Sequence, residues 1–454
     1  MEKMDMSLTN GRLVSANGIY EVDIAIHEGR ISAISERGRL PEAREVIDAR
    51  GKFILPGGID THVHSGGSSL EEVGTRFGNA TRSAALGGIT TIVDMPVQVP
   101  LTTDVETFDQ KLDQIEPHAC VDFALWGTCK SDDLSLIAPL SERGVVGFKL
   151  VMQKSTGRMP YHDDGVIHEA LQEIKDTGLI ATIHAESQAI ISRLEKNFKN
   201  SKRMDPRAFL ECHPIISELE AINRILFIAD AVGARINIAH CSIAEGVDLV
   251  DQAKMEGRPV TVETCVHYLI LDESIFDTKG VFAKLSPALR DREHVNMMWD
   301  RIRKGKVDCV ASDHVPYTLD FKKGNIWEAS AGIPGIQTMF PLLVSEGINK
   351  DVLTWPQMAK IMSEGPAKVC GLYPKKGSIM IGADADLAVF DPKDEREIRL
   401  ENQIGLQWTL YEGYKAVCPE TVILRGKKIV EEGQIVGEPG FGKLCVPKKG
   451  RILP

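Results

Sequence analysis

At 454 residues, with 43% hydrophobic and 26% charged side chains, the chain has the composition of a globular protein long enough for two or three domains, or for one large barrel with an appendage. A net charge of -11 speaks against nucleic acid or an anionic membrane as partner, and no apolar run approaches a membrane span. The nine cysteines are scattered without a C-x-x-C pair, which disfavours a disulfide framework or a thiolate zinc site, and the charged opening Met1-Glu2-Lys3 lacks a signal-peptide h-region, so a cytoplasmic location is expected.

From Leu8 to about Asp48 short alternating strands are punctuated by Asn10-Gly11, Asn17-Gly18 and Glu28-Gly29, the pattern of hairpins in a small β-unit. In Val22–His27 the period of two puts Val22, Ile24 and Ile26 on one face. So small a core needs a partner, and similar strand signals recur in 384–390 and 421–426. One composite β-domain, residues 1–50 and 371–454, is therefore expected around a central unit spanning 51–370.

Within 51–370 the pattern becomes strand then helix, repeated. Candidate strands are 53–55, 90–94, 122–126, 145–149, 180–184, 236–240, 260–263 and 308–312; amphipathic stretches include 165–177, 217–231, 243–256 and 290–304. Eight such units predict an α/β fold, a (β/α)8 TIM barrel, with a small β-sandwich domain built from both termini. A doubly wound sheet is the rival, but no nucleotide-type glycine loop follows an early strand.

Ionisable residues stand where these apolar runs end. His62 and His64, after Gly57-Gly58-Ile59-Asp60-Thr61, lie two apart, so in extended backbone their imidazoles point the same way. Lys149, His184, His240 and Asp313 close later strands. Any one of them alone is as easily a polar residue at a barrel rim, but together they form a set of four imidazoles and a carboxylate suited to zinc or a similar metal. Lysine is a poor ligand for a divalent cation, so Lys149 would have to be modified or form a Schiff base.

The segments Asp60-Thr61-His62-Val63-His64, Gly147-Phe148-Lys149, His184-Ala185-Glu186, Ile238-Ala239-His240-Cys241-Ser242 and Ser312-Asp313-His314 resemble the amidohydrolase superfamily, in its cyclic amidohydrolase branch of allantoinases, hydantoinases, dihydropyrimidinases and dihydroorotases. The resemblance implies two divalent metal ions, zinc first among them. His62, His64 and Asp313 would hold the more buried ion, His184 and His240 the other, and a carboxylated Lys149 would bridge the two. It further implies that a bridging hydroxide attacks a ring amide carbonyl while Asp313 carries its proton to the leaving nitrogen. A homo-oligomer, tetramer or dimer, acting on a small cyclic amide completes the expectation.

Softer matches bear on the substrate. Glu263–Leu269 resembles the family's seventh-strand segment, with Val266 where many relatives have proline. Ser286-Pro287-Ala288-Leu289-Arg290 resembles a loop whose serine and backbone contact the substrate, and Gly332–Gln337 a segment that contacts it through its backbone, which makes Ser286, Gly335 and Gln337 candidate substrate-binding residues. The arginine that dihydroorotases place after their His-x-His is missing from Ser65-Gly66-Gly67, and Lys154 stands where hydantoinases usually have an oxyanion-steadying tyrosine. Segments 212–220, 323–326 and 331–337 look allantoinase-like, although the usual Asn-Glu-Pro-Gly of the first-strand loop is absent. The ranking is allantoinase-like first, hydantoinase or dihydropyrimidinase second, dihydroorotase third. A non-catalytic barrel scaffold is disfavoured because all six ligands are kept. His162 and His213 are read as solvated loop residues without a role.

Overall fold

The computed structural model describes residues 3–154 and 159–448; the residues directly after Lys154 and the end of the composite domain lie outside the described residues. Eight parallel strands follow one another in sequence and in space: Gly58–Val63, Ile89–Asp94, Asp122–Gly127, Gly147–Val151, Ile180–His184, Ile236–Ile238, Val260–Cys265 and Cys309–Ala311. A parallel bridge from Val63 to His314 brings the end of the eighth strand back to the first, and the sheet closes as a barrel wrapped by helices. Strands covered on both faces need apolar side chains on both, which is why they read as nearly continuous hydrophobic runs.

The helices between them start and stop where local chemistry says they should. Asp163 caps Asp164–Thr177 by accepting from Val166 N, and Gly178 ends it in the left-handed region at φ 75°. Asp291 accepts from His294 N at the start of Arg292–Arg303, and Asp104 with Thr107 forms a capping box on Val105–Ile115. Helices Ile215–Val232 and Ala244–Met255 cover the remaining two amphipathic stretches. No helix among the described residues is long and apolar enough to cross a membrane.

The first barrel strand is not the one expected. Phe53–Pro56 pairs antiparallel with Leu387–Phe390 in the small domain, and the barrel begins at Gly58. The exchange happens at a single step: Gly57 N donates to Asp386 O at 2.8 Å, and Gly58 N to Gly88 O at 2.9 Å. A Cβ at position 57 would lie 2.2 Å from Thr90 Oγ1, so only glycine lets the chain cross between the sheets this closely. His62 consequently sits within a strand rather than after it. Likewise Lys149 falls in the middle of Gly147–Val151, not at its end.

The small domain packs two sheets. Residues 30–36, 22–27, 4–9 and 43–48 form one in that order; 434–435, 427–431, 421–424, 387–390, 53–56, 12–15 and 18–20 form the other. Met6, Leu8, Ile24, Ile26, Ile54, Leu387, Val389 and Ile423 fill the space between them, contributed by both ends of the chain. The barrel is pinned to this domain by buried Lys376, whose Nζ donates to Asp122 at the start of the third barrel strand and lies 3.0 Å from Asp384 and 2.7 Å from Asp386. Arg425 Nη1 also reaches Asp122, at 2.7 Å. These three aspartates could by composition hold a cation, but the lysine already occupies that role.

Candidate metal centre

All six expected ligands line one cavity of about 500 Å³ at the C-terminal end of the barrel strands. His62, His64 and Asp313 bring one ligand atom each within 4.8 Å of one another. Asp313 Oδ1 lies 3.1 Å from His64 Nε2 and 3.4 Å from His62 Nε2. His240 joins this group to His184, with ring centroids 5.0 Å from His62 and 4.6 Å from His184. Two of the six adopt backbone conformations that residues with a side chain rarely take, His240 at φ 37° and Asp313 at φ 45°. Such strain persists where the surroundings over-determine a residue's position, and here both residues turn their side chains into the cavity just past a strand end.

Carboxylates behind the imidazoles fix which nitrogen faces inward. Glu263, fully buried on the seventh strand, accepts from His62 Nδ1 at 2.8 Å, from Thr61 Oγ1 at 2.5 Å and from His240 N at 3.1 Å. A carboxylate can only accept, so His62 carries its proton on Nδ1 and its Nε2 lone pair faces Asp313. Glu186 does the same for His184: its Oε2 takes His184 Nε2 at 2.8 Å and leaves Nδ1 as the free lone pair. Burial works to raise the Glu263 carboxyl, but His62, Thr61 and Lys149 outweigh it and hold it below its ordinary value. Asp313 is likewise opposed by burial, yet His62, His64 and His240 pull it well below the usual carboxylate range. His62 itself is pushed down, first by burial and then by the Lys149 amine.

Lys149 is 4% exposed, and its Nζ has no hydrogen-bond partner among the described residues; the same is true of His240 Nδ1. Burial pushes the Lys149 amine down to about 8 against the opposing pull of Glu263 and Asp313. A buried amine without a partner is costly, so something outside the protein chain is required to satisfy it. The donor set thus fits a metal pair with a bridging modified lysine: imidazole lone pairs pre-set by second carboxylates, one aspartate, and an orphaned amine between them.

The softer expectations separate. Ser286 lines the cavity and donates from Oγ to Glu186 Oε2 at 2.6 Å. Gly335 does not line it; its N–H goes to His314 Nδ1 at 3.1 Å, behind the site. The Gln337 side chain is turned away, donating to Asn402 O at 2.7 Å and accepting from Ile404 N at 3.1 Å. Lys154 lines the cavity mouth with its Nζ 5.6 Å above the Tyr161 ring.

His162 and His213 are buried, not solvated. His162 accepts from Val151 N at 3.2 Å and lies 3.1 Å from Cys129 O, clamping the end of the fourth strand. His213 lines the cavity with its Nδ1 on Glu186 Oε1 at 2.8 Å. Sequence reasoning passed over these two and the supporting role of Glu186 and Glu263. The local signals were a carboxylate two residues after His184 and another, Glu263, at the end of the expected strand 260–263, which in the structure runs on to Cys265.

The chain matches the model of the amidohydrolase family over residues 53–429. It is 34% identical over 445 residues to a protein from Paenarthrobacter aurescens named L-hydantoinase, covering 97% of each chain. To an allantoinase of Salmonella choleraesuis it is 33% identical over 460 residues, covering 99% of this chain and 98% of that one. Among solved structures it is similar to an L-hydantoinase (dihydropyrimidinase) from Arthrobacter aurescens, with a TM-score of 0.94 at 34% identity, covering 98% of this chain and 100% of that one. With the family model spanning the barrel and relatives matching end to end, the chain belongs to the amidohydrolase family.

Proposed function

We propose that the protein hydrolyses the ring amide bond of a small cyclic amide. The observation that carries this reading is the buried Lys149 amine, without a hydrogen-bond partner among the described residues, in one cavity with four imidazoles and Asp313. His62, His64 and Asp313 would hold one divalent ion, zinc in the first instance, and His184 and His240 a second, with carboxylated Lys149 between them. When bound, such a pair supplies Lewis acidity and a water ionised near neutral pH.

The chain's own groups supply the rest. With its amine at about 8, Lys149 is in part neutral near pH 7, the form that adds carbon dioxide; the N–C bond forms and the ammonium-type proton is lost to solvent. Asp313, held ionised, is placed to accept a proton and return it to the ring nitrogen, a poor leaving group until protonated. Glu263 and Glu186 keep His62 and His184 in the required tautomers.

Allantoin, hydantoins and dihydropyrimidines are the substrate candidates, and the relatives' names span the same set. Dihydroorotate ranks below them: Ser65 offers no cation, its hydroxyl instead accepting from Gln98, and Arg76 at the cavity wall is 3.7 Å from Glu72. The same reading makes the protein a cytoplasmic homo-oligomer, tetramer or dimer, with a small molecule rather than nucleic acid or membrane as partner. The test is ring opening by metal-replete protein on allantoin, hydantoin, dihydrouracil and dihydroorotate. Opening of one of the first three supports the reading; a zinc-loaded protein that opens none of the four overturns it.

A further inference from the structure

The four imidazoles are not held alike. His62 and His184 are oriented at the ring, by Glu263 and Glu186. His240 is held through its main chain, whose N–H donates to Glu263 Oε1 at 3.1 Å. His64 is the fourth. Its Nε2 faces Asp313 at 3.1 Å, and among the described residues no other carboxylate pairs with its ring. Its main chain is tied on both sides instead: His64 N donates to His314 O at 2.8 Å, and Ser65 N to Asp94 Oδ1 at 3.0 Å. Directly afterwards the chain turns through Gly66 and Gly67 at φ 87° and 112°, a region open to glycine, so the Ser65 amide is the last point fixed before the turn.

Asp94 is itself locked. It ends the second barrel strand with no exposed surface, and its Oδ2 lies 2.7 Å from the Nζ of Lys111, an equally buried lysine that reaches in from helix Val105–Ile115. Lys111 also donates to Met95 O at 3.1 Å and to Gln98 Oε1 at 2.6 Å. Gln98 closes the circuit, its Nε2 donating to Asp94 Oδ2 at 2.7 Å and to Ser65 Oγ at 2.9 Å. Every one of these bonds converges on the turn after strand two or on the residue after His64. Two apolar side chains of similar volume would fill the space at little loss of stability, because burying both charges offsets much of their attraction. They could not accept from Ser65 N, and a backbone N–H can only donate.

Resting on the metal-centre reading above, we infer that Asp94, held by Lys111 and Gln98, is the positioning residue for His64. It fixes the main chain of His64 where Glu263 and Glu186 fix the rings of His62 and His184, and so holds the imidazole beside Asp313 before any ion arrives.

Removing Lys111 alone would strand a buried carboxylate and confuse folding with positioning, so the test uses two neutral double variants. Asp94→Asn/Lys111→Met keeps an acceptor for Ser65 N, and Gln98, freed from the lysine, can turn its carbonyl to the new amide N–H. Asp94→Ala/Lys111→Met removes the acceptor. Hydrogen exchange of the metal-free proteins and chelator-competition titration with zinc are compared with wild type. The alanine pair should exchange about tenfold faster in the peptide spanning 63–69 but not across the barrel strands, and should bind zinc about tenfold or more weakly; the asparagine pair should stay close to wild type in both. Two doubles that behave alike, exchange raised equally throughout the barrel, or faster exchange with zinc affinity unchanged overturns the assignment. If wild type takes up no zinc, the metal reading fails, and the exchange contrast between the two doubles alone decides whether Asp94 fixes His64.

Discussion

Replacing Glu263 tests whether the second carboxylate layer builds the metal centre. Its Oε1 takes His62 Nδ1 and His240 N, and its Oε2 takes the Thr61 hydroxyl. In Glu263→Gln the amide oxygen can keep the two nitrogen donors, and the amide nitrogen can face Thr61, whose hydroxyl can turn and accept. The geometry survives and only the charge is lost. Orienting residues of this kind are worth about 10- to 100-fold in metal affinity, so glutamine should fall near the lower end and alanine near the upper. Glu263→Ala also orphans three buried donors at about 1–3 kcal/mol each; water entering the space from the cavity would reduce the total toward about 3 kcal/mol. Chelator-competition titration reads the first effect and urea unfolding of the metal-free protein the second. The predicted order is wild type, Gln, Ala for metal affinity, with Gln close to wild type in metal-free stability. A Glu263→Ala protein as stable without metal as wild type, or one that binds metal equally well, would refute the reasoning.

Lys149→Ala should lose most of its bound metal and its activity, with partial recovery on adding short carboxylic acids; unchanged metal content by elemental analysis would sink the bridging role. Lys376→Met strands Asp122, Asp384 and Asp386 in the domain junction with Arg425 beside Asp122 and Lys375 at 3.9 Å from Asp384 as remaining cations, and should cost about 3–5 kcal/mol by chemical denaturation, while a loss under about 1 kcal/mol would contradict the pin. Burial pushes His314 down to about 3 and His267 to about 4 from an ordinary 6.5. The unfolded chain therefore binds more protons below about pH 6.5, so this stability is full above that pH and is lost as pH falls toward the folded values, with a slope of at most about 1.4 kcal/mol per pH unit for each histidine. His314→Asn should remove one histidine's share of that slope in metal-free protein unfolded between about pH 7 and 5; an identical slope would show that His314 is not held neutral.

The amino-acid sequence determined the barrel, the joint use of both termini and the set of ionisable residues that converge on the cavity, because each is written in short-range pattern. Parallel strands buried on both faces spell apolar runs; His62 and His64 declare themselves by a spacing of two; His184 and Asp313 interrupt runs where charge is out of place. Tertiary structure alone decided what those patterns cannot encode. Phe53–Pro56 and Gly58–Val63 are two apolar runs separated by one glycine, and only pairing with Leu387–Phe390 on one side and Ile89–Asp94 on the other assigns them to different domains. Gln337 and Gly335 sit in a motif-like segment, yet only the fold shows that the Gln337 side chain reaches Asn402 and that the Gly335 N–H is taken by His314. His213 lies 27 positions from Glu186, and Glu263 lies 201 positions from His62. A hydrogen bond across such distances leaves no local trace, so the groups that set the tautomers became visible only once closure of the barrel had brought the strand ends together.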